Sequence, residues 1–195
     1  MQRKILSVLG AVTAVLMVSA AFADPPSALP GDTGRPGDGV PAPPQGNRGP
    51  RGPRTQAPVA PAPAIRLAMK AAEAIAEGCR QYHFGLAILN AAGGPTLIYV
   101  PDGAEAWHGY SAVRKAYTAV TFKVPTSQLV KEIQNDPAMA AKVRADANLQ
   151  VQSGGVPLMV SNEVIGAIGV SGAEPGGHDE ECALIGVNAI KDQLK

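Results

Sequence analysis

Three histidines, two cysteines and a short acidic run are the residues of this chain best suited to chemistry. Imidazole ligates metals and moves protons near neutral pH. His83, His108 and His178 do not pair at metal-ligand spacing, and no HxxxH or CxxC motif accompanies them. A structural metal is therefore not expected, since a lone histidine serves equally as a solvent-facing or core residue. Cys79 and Cys182 are the only cysteines. Neither has an adjacent base that would make it a nucleophile. Ser171, in Gly169-Val170-Ser171-Gly172-Ala173, does not complete a G-x-S-x-G elbow. Asp179, Glu180 and Glu181 are better explained as the acidic first turn of a helix than as an acid-base pair.

The element most able to position a ligand lies between Gly154 and Ala183. Gly154 and Gly155 permit a tight turn, 156–160 and 164–170 are β-branched strand sequences, and Asn162 with Glu163 sits where a hairpin loop belongs. Gly166, Gly169 and Gly172 recur every third residue, which neither a helix face nor a strand face requires. Glycine inside a strand marks a bulge or a group lying against the backbone, so either a ligand or a packed helix is expected there.

Before that domain come two segments of different character. Arg3 and Lys4 precede an apolar run over 5–18, and Ala21-Phe22-Ala23 closes it. This is the pattern of a Sec-type signal peptide over 1–23, too short for a comfortable membrane span, with cleavage expected before Asp24. The exported chain is expected in the periplasm or outside the cell. Residues 24–63 are rich in proline and glycine and nearly devoid of large apolar side chains. Such a segment cannot bury a core and is expected to be a disordered or polyproline-II spacer. The full chain has a net charge of +1; loss of Arg3 and Lys4 leaves 15 basic against 16 acidic residues. With the basic residues dispersed among acids, neither nucleic acid nor an anionic membrane is an expected partner.

Residues 64–195 suffice for one domain. Leu67, Ala71, Ile75 and Cys79 make an apolar stripe along a helix over 64–80. The stretches 86–89 and 97–100 form a hairpin around Ala92-Gly93-Gly94-Pro95. A second helix is expected over 105–122, a third capped by Thr126 or Ser127, and a fourth with Pro137 in its first turn. The stretch 149–152 alternates as a weaker fifth strand before the Gly154 hairpin, and Asp179 caps a final helix. The expectation is an α+β domain with a five-stranded antiparallel sheet and flanking helices.

Three stretches of this domain resemble the GlcG/HbpS-like family. They are Asn90-Ala91-Ala92-Gly93-Gly94, then Asp102-Gly103-Ala104 with Arg114-Lys115-Ala116-Tyr117-Thr118-Ala119 and Pro125-Thr126, and finally Gly154-Gly155-Val156-Pro157 through Gly172 with Asp179-Glu180-Glu181-Cys182-Ala183. The resemblance covers roughly the whole domain. Asn90 departs from the family's usual aspartate, and the second strand lacks the usual arginine-methionine before Asp102.

What the resemblance implies is a profilin-like layered sandwich that forms homo-oligomers, related to PduO C-terminal domains, with haem or another tetrapyrrole as its cofactor and ligand. By the same resemblance the iron contact falls on Thr118, beside Tyr117, with Lys115 facing a propionate and the haem in a groove between the Tyr117–Thr118 helix and the Gly154–Gly155 hairpin. Two other outcomes stay open for Thr118 and for the histidines. A helix threonine commonly bonds a preceding carbonyl. His108 is a stronger ligand type, but lies ten residues before Thr118, about 15 Å along a helix, so one iron cannot take both. Alternative readings are a small-molecule enzyme or corrinoid-handling domain using the same pocket, and a structural oligomer on a flexible arm. Export makes a Cys79–Cys182 disulfide permissible. Bridging needs aligned Cβ atoms that sequence does not establish, so buried free thiols are expected.

Overall fold

A computed structural model describes residues 60–175 and 177–195. The expected signal peptide and nearly all of the expected spacer lie outside them. The last spacer residues are docked rather than free: Pro63 is buried, and the Ala91 N–H donates to the Pro61 carbonyl at 2.8 Å.

The order is α1 (Ile65–Gly78), β1 (Gly85–Asn90), β2 (Pro95–Tyr99), α2 (Trp107–Phe122), α3 (Thr126–Gln134), α4 (Pro137–Ala145), β3 (Gly155–Val160), β4 (Glu163–Ser171), α5 (Asp179–Ile190) and a 3-10 turn at Lys191–Gln193. The fold is α+β with one antiparallel sheet, in the order β2-β1-β4-β3. The two consecutive pairs are hairpins. Ser161 and Asn162 form the two-residue loop between Val160 and Glu163, with Ser161 at φ 53°. In the other, Asn90 Oδ1 accepts from the N–H groups of Ala92 and Gly94 at 2.9 and 2.8 Å. An asparagine oxygen thus makes the turn that a carboxylate would make. Pro157 is tolerated because β3 is an edge strand.

The sheet has four strands, not the five expected. Leu149 and Val151 do alternate with Gln150 and Gln152, but the backbone of this stretch bonds to α2 side chains instead of a neighbouring strand. Arg114 Nη2 donates to the Leu149 carbonyl at 2.7 Å, and the Gln150 N–H donates to Thr118 Oγ1 at 2.8 Å. The apolar-polar alternation of the sequence does not become alternating burial, since Leu149, Gln150 and Val151 are all buried.

Helices cover both faces. On one, α1 and α5 pack together over the sheet, and Leu67, Ile75, Phe84, Leu86, Ile88, Ile168 and Ile190 form the main core. The other face carries α2 through small residues, Ala112, Ala116 and Ala119, against Ala87, Leu89 and Ala167. A third cluster, with Leu129, Ile133, Val143, Leu149 and Val151, joins α3 and α4 to the 149–151 segment. The strand glycines mark a packed helix. A Cβ at Gly169 would lie 2.1 Å from the Ala112 carbonyl oxygen, so the α2 backbone rests directly on β4.

Cys79 and Cys182 form a disulfide, contrary to the free thiols expected. Their Cα atoms stand 6.0 Å apart, normal for a bridge. The deciding fact is the docking of α1 on α5, which brings together residues 103 apart. The cap of α3 also differs: its N-cap is Pro125, while the Thr126 hydroxyl accepts from the Gly155 N–H at 2.9 Å. On α5 the N-cap is His178, and Asp179 opens the first turn. Asp136 caps α4 through the Met139 N–H, with Pro137 following as expected.

Candidate functional site

Ser111, Arg114, Lys115 and Thr118 fall on one stripe of α2, and all four are buried. Buried polar groups must find partners. Lys115 Nζ meets Asp179 Oδ2 at 2.6 Å, while Asp179 Oδ1 accepts from the Ala173 N–H at 2.8 Å. Thr118 Oγ1 donates to the Arg114 carbonyl and accepts from the Gln150 N–H, both at 2.8 Å. Ser171 Oγ donates to Ser111 Oγ at 2.8 Å, which donates to Gln150 Oε1 at 3.0 Å, and Gln150 Nε2 continues to Gln152. Arg114 Nε reaches the Ala147 carbonyl at 3.0 Å. Together these side chains fasten 147–152 to α2 as an internal polar seam.

The groove expected between the Tyr117–Thr118 helix and the Gly154–Gly155 hairpin is closed within the protomer. A Cβ at Gly155 would stand 2.3 Å from the Lys115 carbonyl oxygen; one at Gly154 would stand 2.5 Å from the Val170 carbonyl oxygen and 3.1 Å from Lys115 Cδ. Gly154 also sits at φ +128°, a conformation glycine supplies. In this packing the hydroxyl of Thr118 is engaged twice, as the back-bonding alternative anticipated, and the Lys115 ammonium is committed to Asp179. A flat macrocycle does not fit there. Tyr117 is half-buried and packs against the alanine layer and the α3–α4 cluster, beside the turn at Gly93.

The histidines gather toward one end of the sheet without forming a ligand set. The His108 ring lies 4.0 Å from that of Trp107 and against Gly172. His178 stacks on Tyr82 at 5.3 Å, with its Nδ1 2.7 Å from Glu181 Oε2. His83 is exposed beside Gly103. Among the described residues no group of three or more His, Cys, Asp or Glu side chains is arranged to hold a metal ion. No described helix is long and apolar enough to cross a membrane.

A second concavity went unread in the sequence. Between α1 and the edge strand β2 runs an apolar groove of about 210 Å³, lined by Met69, Ala72, Glu73, Ala76, Leu97 and Tyr99. Met69 and Tyr99 are large side chains left 51% and 39% exposed. Leu97 and Tyr99 share a strand face and Met69, Ala72, Glu73 and Ala76 a helix face, a signal visible only once α1 is laid beside β2. This groove, unlike the closed one, is open at the surface, with Glu73 the one charged side chain in its wall.

No curated protein matches the chain in sequence. Solved structures do resemble it. HbpS of Streptomyces reticuli, as a double mutant, is 29% identical, with a TM-score of 0.60 over 77% of this chain and 98% of that one. The Klebsiella pneumoniae protein ORFY shares the fold at 20% identity, with a TM-score of 0.63 over 73% of this chain and 98% of its own. The protein of a PduOC:heme complex shares it at 24% identity, with a TM-score of 0.60 over 66% and 95%. The family model described as haem degrading protein HbpS-like matches residues 62–188, from the docked end of the spacer to near the end of α5. By that match, which spans most of the sequence and nearly every described element, the chain belongs to the HbpS-like family.

Proposed function

We propose that this chain is an exported haem-binding protein that carries or hands on haem and assembles as a homo-oligomer. The observation that carries the reading is the family match over residues 62–188, supported by the likeness to HbpS. Export rests on the leader pattern of residues 1–23, which lie outside the described residues. The disulfide between Cys79 and Cys182 agrees with an oxidising compartment. Bound haem would supply a polarizable iron centre on a flat apolar ring; the protein's part is to cover that ring, give the iron a ligand and neutralise the propionates.

Of the candidate haem contacts in the sequence, His108 is half-buried, whereas Thr118, Lys115, Gly154 and Gly155 are packed inside the protomer. Tyr117 is held between two clusters. The reading is tested by titrating haemin into the purified full domain with its spacer. A saturable Soret shift near one haem per chain is expected; absence of saturable binding ends the proposal. N-terminal sequencing of the exported form should begin at Asp24, and recovery of Met1 would refute cleavage.

A further inference from the structure

We infer that the outer side of α1, together with the groove beside it, is where two copies of this chain meet, their α1 helices antiparallel about a two-fold axis; this rests on the homo-oligomer reading. Arg66, Lys70, Glu73 and Glu77 are all exposed. Their spacing of four, three and four residues sets them in one line along the helix, opposite the buried Ala68, Ala71 and Ile75.

The charges on that line are self-complementary. Arg66 lies as far before the point between Ala71 and Ala72 as Glu77 lies after it, and Lys70 as far before that point as Glu73 lies after it. A two-fold axis through this point therefore sets Arg66 against Glu77 of the second copy and Lys70 against Glu73 of the second copy, and each pair occurs twice. A parallel pairing would instead set like charges together, which disfavours it. Among the described residues, Arg66, Lys70 and Glu73 make no ion pair within the protomer, and Glu77 reaches Arg80 in an exposed pair.

Shape follows the same axis. It brings Met69 of each copy level with the stretch from Ala72 to Ala76 of the other, which is the helix wall of the groove. At about 210 Å³ the groove is smaller than the roughly 300–1,000 Å³ of small-molecule pockets, and suits a protruding side chain. Because the axis lies across the helix pair, both grooves open on the same side of it. Met69 and Tyr99 of the two copies then form one apolar patch rimmed by charge, and methionine and tyrosine are residue types enriched where proteins meet. Ion pairs this near the surface are screened by salt, so assembly should weaken as ionic strength rises.

Sedimentation velocity of the purified domain with its spacer, over a range of protein and salt concentrations, tests the assignment. Lys70→Glu sets carboxylates against carboxylates at two places and should raise the dissociation constant by about tenfold or more. Glu73→Lys should do the same with ammonium groups. Mixed in equal amounts, the two variants should associate with each other about as tightly as the wild type does with itself, since each supplies the charge that the other lacks. All these positions are exposed, and circular dichroism will verify that the fold is kept. If the wild type assembles and Lys70→Glu assembles equally well, or if the mixture stays as dissociated as its components, the copies meet on another face and a different occupant covers the groove; the assignment is overturned and the homo-oligomer reading stands. If the wild type sediments as a single chain at every concentration, both fall.

Discussion

Breaking the bridge between Cys79 and Cys182 tests how the two outer helices are held. The loop it closes spans 103 residues, for which chain-entropy closure gives about 4.7 kcal/mol at 25 °C. Measured bridges fall mostly between about 2 and 4 kcal/mol, so a loss of about 2–5 kcal/mol is expected. Domains are typically stable by about 5–15 kcal/mol, which makes the bridge a large fraction of the total. For a folded part of this size, with an unfolding entropy of about 2.1 cal/mol/K per residue, the melting midpoint should fall by about 7–17 °C on reduction. Comparing the oxidised chain with the same chain in a phosphine reductant leaves the core composition unchanged. Trp107, the only tryptophan, reports unfolding in urea. Coincident urea midpoints with and without reductant, or two reactive thiols in the denatured oxidised chain, would refute the reasoning.

Three further substitutions probe the interior. Lys115→Met strands the Asp179 carboxylate and should cost about 3–5 kcal/mol, whereas Lys115→Met with Asp179→Leu should recover part of that loss, as denaturant melts will show. Gly169→Ala puts a methyl 2.1 Å from the Ala112 carbonyl oxygen and should push α2 off the sheet, seen as a loss of more than about 4 kcal/mol or failure to fold. Thr118→Val removes the partner of the Gln150 N–H and should cost about 1–3 kcal/mol by chemical denaturation while leaving the haemin spectrum unchanged; a shifted Soret band would restore Thr118 as an iron contact.

Local signals carried the helices and hairpins because their causes are local. The apolar stripe at Leu67, Ala71 and Ile75, the glycine turn after Asn90 and Pro137 behind Asp136 each act within a few residues. The 149–152 stretch misled because its apolar-polar alternation belongs to a segment buried on both sides, whose backbone is held by the arginine and threonine of a helix. The disulfide was illegible since it depends on the distance between the first and last helices, which no spacing encodes. The glycine run left a ligand and a packed helix equally open, and the structure puts the alanines of α2 against that face of the sheet. The α1–β2 groove has no sequence signature at all. Its walls mix exposed and partly buried residues from α1 and β2, and only their apposition makes a concave surface.

The opening turn of α5 has a bearing on how the domain is completed. Asp179 grips α2 through Lys115, and Glu180 accepts from Ser127 at the start of α3 and from Ser153. Two residues further on, Cys182 ties the same helix to α1. A single late segment therefore clasps three earlier helices and the turn at Ser153. A chain emerging amino-terminus first cannot latch shut until the segment from Asp179 through Cys182 is out, and losing that segment would leave the whole assembly unclasped.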